Sequence, residues 1–350
     1  MSAVSSAVAT AGTGPRRSER LHGLLWLSWR QNRTLVRVLL AFVLLLAGAI
    51  GWCVHGLDAA AGPQHLTAAA CTGSPPEASV NGLTVGTVPT GLTPACSAFL
   101  GKQGDYINFY QGIVQLALLL APVVVGMFVG APLLSREFER RTQLLAWGQS
   151  VSPSRWLAAR LGSTAAVVLA AFAAAAGLSY WFWRQYVVAG GGDYAFQAKT
   201  YDTVGTVLVG YALFALALGV VVGLLVRSVL ASVLVTGFLS GASMVVMYLV
   251  RPHLYPLVNQ VQVGKNAFDG FIPPLNAWMV DSGVVLPDGA RVSASVDCGS
   301  TACQNSQTFY GVYQPASHFW PLQLVETGVL LVLAAALVAF AFHRVLRGRR

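Results

Sequence analysis

Five stretches of this chain run for about twenty residues or more without an Asp, Glu, Lys or Arg: Val38–Leu57, Gly112–Leu134, Leu161–Trp183, Thr203–Val226 and Ser228–Val250. A sixth, Pro321–Phe342, is interrupted by Glu326 alone. A hydrocarbon core about 30 Å thick takes roughly 20 helical residues. A charge at its centre costs about 2.5–3.5 kcal/mol on insertion scales. Each stretch is therefore long enough and apolar enough to cross a bilayer. The composition agrees, with 55% hydrophobic and only 10% charged residues, where a soluble domain carries about 25% charged. Soluble globular, disordered and coiled-coil folds are excluded. The expected fold is all-α and integral to the membrane, a six-transmembrane-helix bundle. The fourth and fifth spans are separated by Arg227 alone and read as a tight helical hairpin.

The formal charge of +9 would raise nucleic acid as a partner in a soluble protein, but here the cations lie between apolar runs. Sixteen of the 22 Lys and Arg fall before span one, between spans two and three, between four and five, and after six. The other connections hold Lys102, Arg184, Lys199, Arg251, Lys265 and Arg291, together with nine of the 13 acids, Asp202 among them. The positive-inside rule then puts both termini in the cytoplasm of a plasma membrane protein. No nucleic-acid partner is implied.

Residues 1–17 read as a disordered tail, 18–343 as the membrane domain and 344–350 as a basic cytoplasmic tail. Extracellular loops fall at 58–111, 184–202 and 251–320. From Ser18 to Thr34, Leu21, Leu24, Leu25 and Trp29 share one helical face with Arg30 and Arg33 nearby, the pattern of an N-terminal interfacial helix. The alternative is that this stretch simply continues span one. A signal-peptide reading of Val38–Leu46 and Ala47-Gly48-Ala49 is set aside, because the leader is long and the apolar stretch continues past the small residues.

Small β-containing caps are expected in the extracellular loops. Asn81-Gly82 and Asp288-Gly289 each lie between β-prone residues, a hairpin signal. The segment GFIPPLNAWMV is too short to span and broken by Pro273-Pro274, and reads as an interfacial or re-entrant turn. Cys71, Cys96, Cys298 and Cys303 all fall on the outer side, where disulfides persist. Of three pairings, the local 71–96 and 298–303 are the simplest. Cys53 lies within span one and reads as a small buried hydrophobe.

Motifs for chemistry are missing. A phosphate-binding loop needs G-x-x-x-x-G-K-[ST]; Lys102 precedes Gln, Lys265 precedes Asn and Lys199 follows Ala. Any ATP must be hydrolysed by another chain. The six histidines are scattered and no zinc spacing occurs, so no metal site is read. Apart from Glu326, placed near one interface, the span interiors offer no ionisable group for an ion-driven carrier or a membrane enzyme. Gly126/Gly130, Gly219/Gly223 and Gly237/Gly241 form G-x-x-x-G pairs, which allow close helix packing inside the bundle or across a dimer.

The stretch joining spans two and three is the most informative. It carries Arg136, Glu137, Glu139, Arg140 and Arg141, then turns apolar at Leu144-Leu145-Ala146-Trp147 before Pro153. The positive-inside rule explains the arginines but neither the interleaved glutamates nor the apolar patch. A short two-faced helix held between two spans suits docking to a soluble partner.

WLSWRQNR before span one, the GAPLLSREFE…T…LAWGQSVSPSRWLA block, and FALALGVVVGLLVRSVLAS followed by YLVRPHLYP fall in order over most of residues 21–260. In these features the chain resembles the type-2 permeases of ATP-binding-cassette exporters, in their actinobacterial form. The resemblance implies that six helices make one permease half and that a second half, identical or not, completes the transporter. Two ATPase subunits, which would hold ATP and Mg, would dock on the coupling helix between spans two and three. Docking would then fall to Glu137, Glu139, Arg140, Arg141, Thr142, Leu145, Trp147 and Gln149, although Arg141 stands where the family often has glycine. The expected function is export of a hydrophobic or amphipathic substrate such as a lipid, drug or peptide, with membrane lipid as the surrounding partner. The chain itself would be no enzyme and would carry no cofactor. The alternatives are a membrane sensor or immunity protein on the same scaffold, without transport, and an integral membrane enzyme.

Overall fold

The computed structural model describes residues 17–63, 65–67, 70–71, 93–139, 153–188, 195–226, 228–264, 270–274, 276–294 and 306–347. Six helices in it are long and apolar enough to cross a membrane: Asn32–Ala61, Pro94–Arg136, Ser154–Val188, Val207–Leu225, Val229–His253 and Ala316–Arg347. The chain is an all-α membrane bundle with a small antiparallel sheet at one end.

The first helix, α1, runs unbroken over Arg17–Ala61. The amphipathic stretch after Ser18 is therefore not a separate interfacial helix; it continues the first span. Between Ser18 and Thr34 there is no proline and a single glycine, Gly23, too little to stop a helix whose propagation is favourable once begun. The second span is a chain of helices, α2 (Pro94–Phe109), α3 (Gln115–Val125) and α4 (Ala131–Glu139), joined by π-helical turns at Tyr110–Val114 and Gly126–Gly130. Thr93 caps α2 by accepting from the Cys96 amide at 3.3 Å, with Pro94 in the first turn, where its missing N–H is no loss. A disulfide joins Cys96 to Cys71. The span thus begins well before the apolar run at Gly112.

Next come α5 (Pro153–Phe182), extended by a π-helical turn to Val188, and the short α6 (Ala198–Val204). They are followed by α7 (Val207–Leu225), α8 (Val229–Val250) and α9 (Phe319–Arg347). Val226 and Ser228 are extended, so α7 and α8 form the tight hairpin expected.

α7 is the central post, buried along nearly its whole length. Its small residues permit this. A Cβ on Gly219 would stand 2.7 Å from the Ala131 amide nitrogen, and one on Gly223 would collide with the Ala131 carbonyl. On the facing helix, a Cβ on Gly130 would lie 2.7 Å from the Leu216 carbonyl oxygen, and one on Gly126 would lie 2.8 Å from that of Ala215. The two glycine pairs interlock within one chain. Gly237 faces Met127, while Gly241 opens onto empty space. Around it, α8 presents Leu230, Leu234, Phe238 and Leu249 outward, the surface a lipid-facing helix offers.

The sheet is built from β1 (Val258–Val263), β2 (Trp278–Val285), β3 (Arg291–Ser293) and β4 (Thr308–Gln314), all antiparallel in the order β1-β4-β2-β3. The hairpin expected at Asp288-Gly289 joins β2 to β3: Gly289 takes φ +85° and Asp288 accepts from the Ala290 amide at 2.9 Å. In GFIPPLNAWMV, expected as an interfacial or re-entrant turn, the described residues lead into the sheet. Trp278, Met279 and Val280 begin β2, and Ile272 exchanges two hydrogen bonds with the Gln262 side chain of β1. The prolines remove amide donors, and Gln262 supplies side-chain partners to the backbone beside them. Asn81-Gly82 lies outside the described residues. Gln314 anchors the sheet to the bundle, donating to the carbonyls of Tyr255 (2.9 Å) and Pro252 (3.3 Å) just beyond α8.

Candidate functional site

Where α6 packs against α3, α5 and α7, the bundle buries three charges. Nε of Arg251 donates to Oε2 of Glu326 at 2.9 Å, and its Nη2 donates to Oε1 at 3.1 Å. The same Nη2 donates to Oδ1 of Asp202 in a short ion pair. Tyr211 of α7 donates its hydroxyl to Oε1 of Glu326 at 3.0 Å. The guanidinium lies 4.0 Å from the centre of the Tyr201 ring, a stacking that suits the weakly hydrated planar cation. Glu326 has no exposed surface and Arg251 has 1%.

A polar collar fixes this cluster. Gln323, one turn before Glu326, donates to the Tyr201 carbonyl at 2.6 Å and accepts from the Val207 amide at 3.0 Å. Gly205 leaves the room for it, since a Cβ there would collide with the Gln323 amide. The hydroxyls of Thr206 and Thr327 meet at 2.9 Å, and Gln115 of α3 donates to Thr200 at 3.3 Å. Four helices and the α6–α7 corner are thereby held to one ion cluster. Burial pushes the Asp202 carboxyl up to about 6; Arg251 pulls it down and Glu326 pushes it further up.

Glu326, placed by the sequence near one interface, and Asp202 and Arg251, counted among the connections, are all buried and meet in one cluster. α9 begins at Phe319, so Glu326 already lies within the packed bundle. Charges from α6 and the end of α8 fold in to meet it. The sequence signal was a lone acid in one span and a cation directly following another.

At the other end of the long α9 lies the foot of α4, from which the expected docking stretch continues. There Leu133 and Leu134 of α4 pack with Leu157 and Leu161 of α5, Val220 and Val221 of α7 and Ala341 of α9 in a second core. Asn32 of α1 donates to Ser163 at 2.8 Å and accepts from Thr164 at 3.3 Å. α4 leaves this core with Arg136 and Glu139 exposed, and Glu137 lies on the same helix. Arg140, Arg141, Thr142, Leu145, Trp147 and Gln149 lie outside the described residues, as do Cys298 and Cys303. Cys53 is buried with a free thiol.

Residues 42–251 match the model of the ABC-2 membrane transporter related family. The chain belongs to that family. No curated protein and no solved structure matches it. The matched stretch of this ABC transporter permease begins within α1, runs through α4 and the connection to α5, and ends on Arg251. Asp202 and Arg251 thus fall inside the family region, while Glu326 and the sheet lie beyond it.

Proposed function

We propose that this chain is the permease half of an exporter of the actinobacterial kind, with both termini cytoplasmic. It couples ATP hydrolysis in a separate ATPase subunit to outward movement of a hydrophobic or amphipathic substrate. A second permease half and two ATPase subunits complete the assembly. The observation that carries this reading is the family match across the connection after α4, where a helix rooted in the core emerges with Arg136 and Glu139 exposed. The sequence holds no phosphate-binding loop, so nucleotide energy must arrive through such a contact.

Docking falls to Glu137, Glu139, Arg140, Arg141, Thr142, Leu145, Trp147 and Gln149, with Leu145 and Trp147 as apolar anchors and the charges setting register. The second core makes α4 rigid with α5, α7 and α9, so a push on its exposed end moves the bundle as a body. Shifting a two-state population from 1:99 to 99:1 takes about 5.5 kcal/mol of differential binding, a magnitude that nucleotide-driven closure of an ATPase pair can supply through two such helices. The test is substrate movement in vesicles holding the permease and its partner ATPase. ATP-dependent movement that needs both chains supports the reading. Assembly with the ATPase and no movement of any lipid, drug or peptide would favour a sensor.

A further inference from the structure

The buried cluster has an unbalanced charge. Arg251 supplies one positive charge, and Asp202 and Glu326 two negative ones. Both carboxylates accept from the same Nη2, which makes them neighbours on one nitrogen. The ionisable groups facing them are Tyr201 on α6, Tyr211 on α7, Arg251 and, about the guanidinium, Tyr248 on α8, with each carboxylate facing the other. Among the described residues Arg251 is the cation paired with either carboxylate. Burial and the neighbouring Glu326 carboxylate both raise Asp202, against the pull of Arg251. A net buried charge is resolved by taking up a counter-charge. Tyr201 and Glu326 have no exposed surface, Arg251 has 1% and Asp202 has 6%, and the simplest counter-charge that reaches such a site is a proton.

We propose that Asp202, held beside Glu326 on the single cation Arg251, is a proton-binding site, taking up one exchangeable proton that neutralises the cluster and is released as the pH rises. The hydrogen bonds indicate which carboxyl holds it. Glu326 accepts from Arg251 twice and from Tyr211 once, all of which stabilise its ionised form. Asp202 accepts from Arg251 alone among the described residues. The proton therefore resides on Asp202. That carboxyl moves from an ordinary 3.8 up to about 6 in the fold. The folded form therefore binds more protons than the unfolded one in this window. The stability so contributed is complete below 3.8 and is lost as the pH rises through about 6. Because Asp202, Arg251 and Glu326 join α6, α8 and α9, deprotonation leaves an uncompensated charge at the joint that holds the sheet-bearing end together. This site is independent of whether the chain transports anything.

The test is pH-difference infrared spectroscopy on the full chain in lipid nanodiscs, from about pH 4 to about pH 8, with thermal melting alongside. The wild type should show a protonated-carboxyl C=O band that disappears as the pH rises, and its melting temperature should fall over the same window. Asp202→Asn, a neutral mimic of the protonated residue, should lack the band and melt independently of pH there. Glu326→Gln removes the neighbouring negative charge, so the remaining carboxyl should release its proton about one pH unit or more lower. Absence of a titrating carboxyl band in the wild type overturns the proposal, whether or not Asp202→Asn folds. So does a midpoint unmoved by Glu326→Gln.

Discussion

Arg251 at the end of α8 grips Glu326 of α9 through two parallel hydrogen bonds, 75 residues apart in sequence and sealed from solvent. Buried inside the bundle, such a fork is stable only because both members are present. It sets the angle between the last two spans and carries the α6–α7 corner with it.

Removal of Arg251 leaves two buried carboxylates without their cation. Arg251→Ala should lose about 3–5 kcal/mol of stability, the usual consequence of breaking a buried pair on one side. Arg251→Lys should recover only part of this, since an ammonium cannot reproduce the planar fork. Denaturant unfolding in detergent at pH 7 measures both. A variant pair as stable as the wild type would mean that the cluster carries no energetic role.

The interlocked glycines predict a contrast along the bundle. Gly219→Ala and Gly223→Ala place a methyl group against the Gly126–Ala131 backbone and should cost about 1–3 kcal/mol each by overpacking. Gly241→Ala meets nothing within 4 Å and should be neutral or stabilising by up to about 1 kcal/mol through helix propensity. Melting temperatures of the three variants in one detergent decide the matter.

The disulfide between Cys71 and Cys96 closes a loop of 25 residues, worth about 3 kcal/mol in the chain-entropy account. Cys71→Ser should lower stability by that order. Non-reducing peptide mapping should recover the 71–96 linkage and leave Cys53 unlinked; the same map tests Cys298 with Cys303.

How legible these features were in the sequence follows the range of the interactions. The six spans were legible because hydropathy acts over one helix length, and the Asp288-Gly289 turn because its signal is two residues long. The boundary between Thr34 and span one was misread, since amphipathic patterning does not show whether a helix breaks. The ion cluster escaped because its members come from three helices and each, taken alone, resembles a loop or interface charge. Pairing the lone acid of one span with the cation at the end of another was the available clue. The fold of GFIPPLNAWMV against Gln262 needed knowledge of β1, whose sequence VNQVQV gives little sign of the strand it pairs with.

The central claim is that energy enters this permease through the stretch that follows span two, and the affinity of the ATPase for the permease tests it most directly. Exposed ion pairs add only about 0–1 kcal/mol to folding, so Glu137→Ala and Glu139→Ala should express and melt as the wild type does. A charge pair desolvated at an interface is worth about 2–5 kcal/mol when one partner is truncated, or roughly 30- to several-thousand-fold in Kd. Titration of the partner ATPase against nanodisc-embedded wild-type, Glu137→Ala and Glu139→Ala permease should show at least one variant weakened to that extent, with folding intact. Equal Kd values for all three proteins would contradict the account.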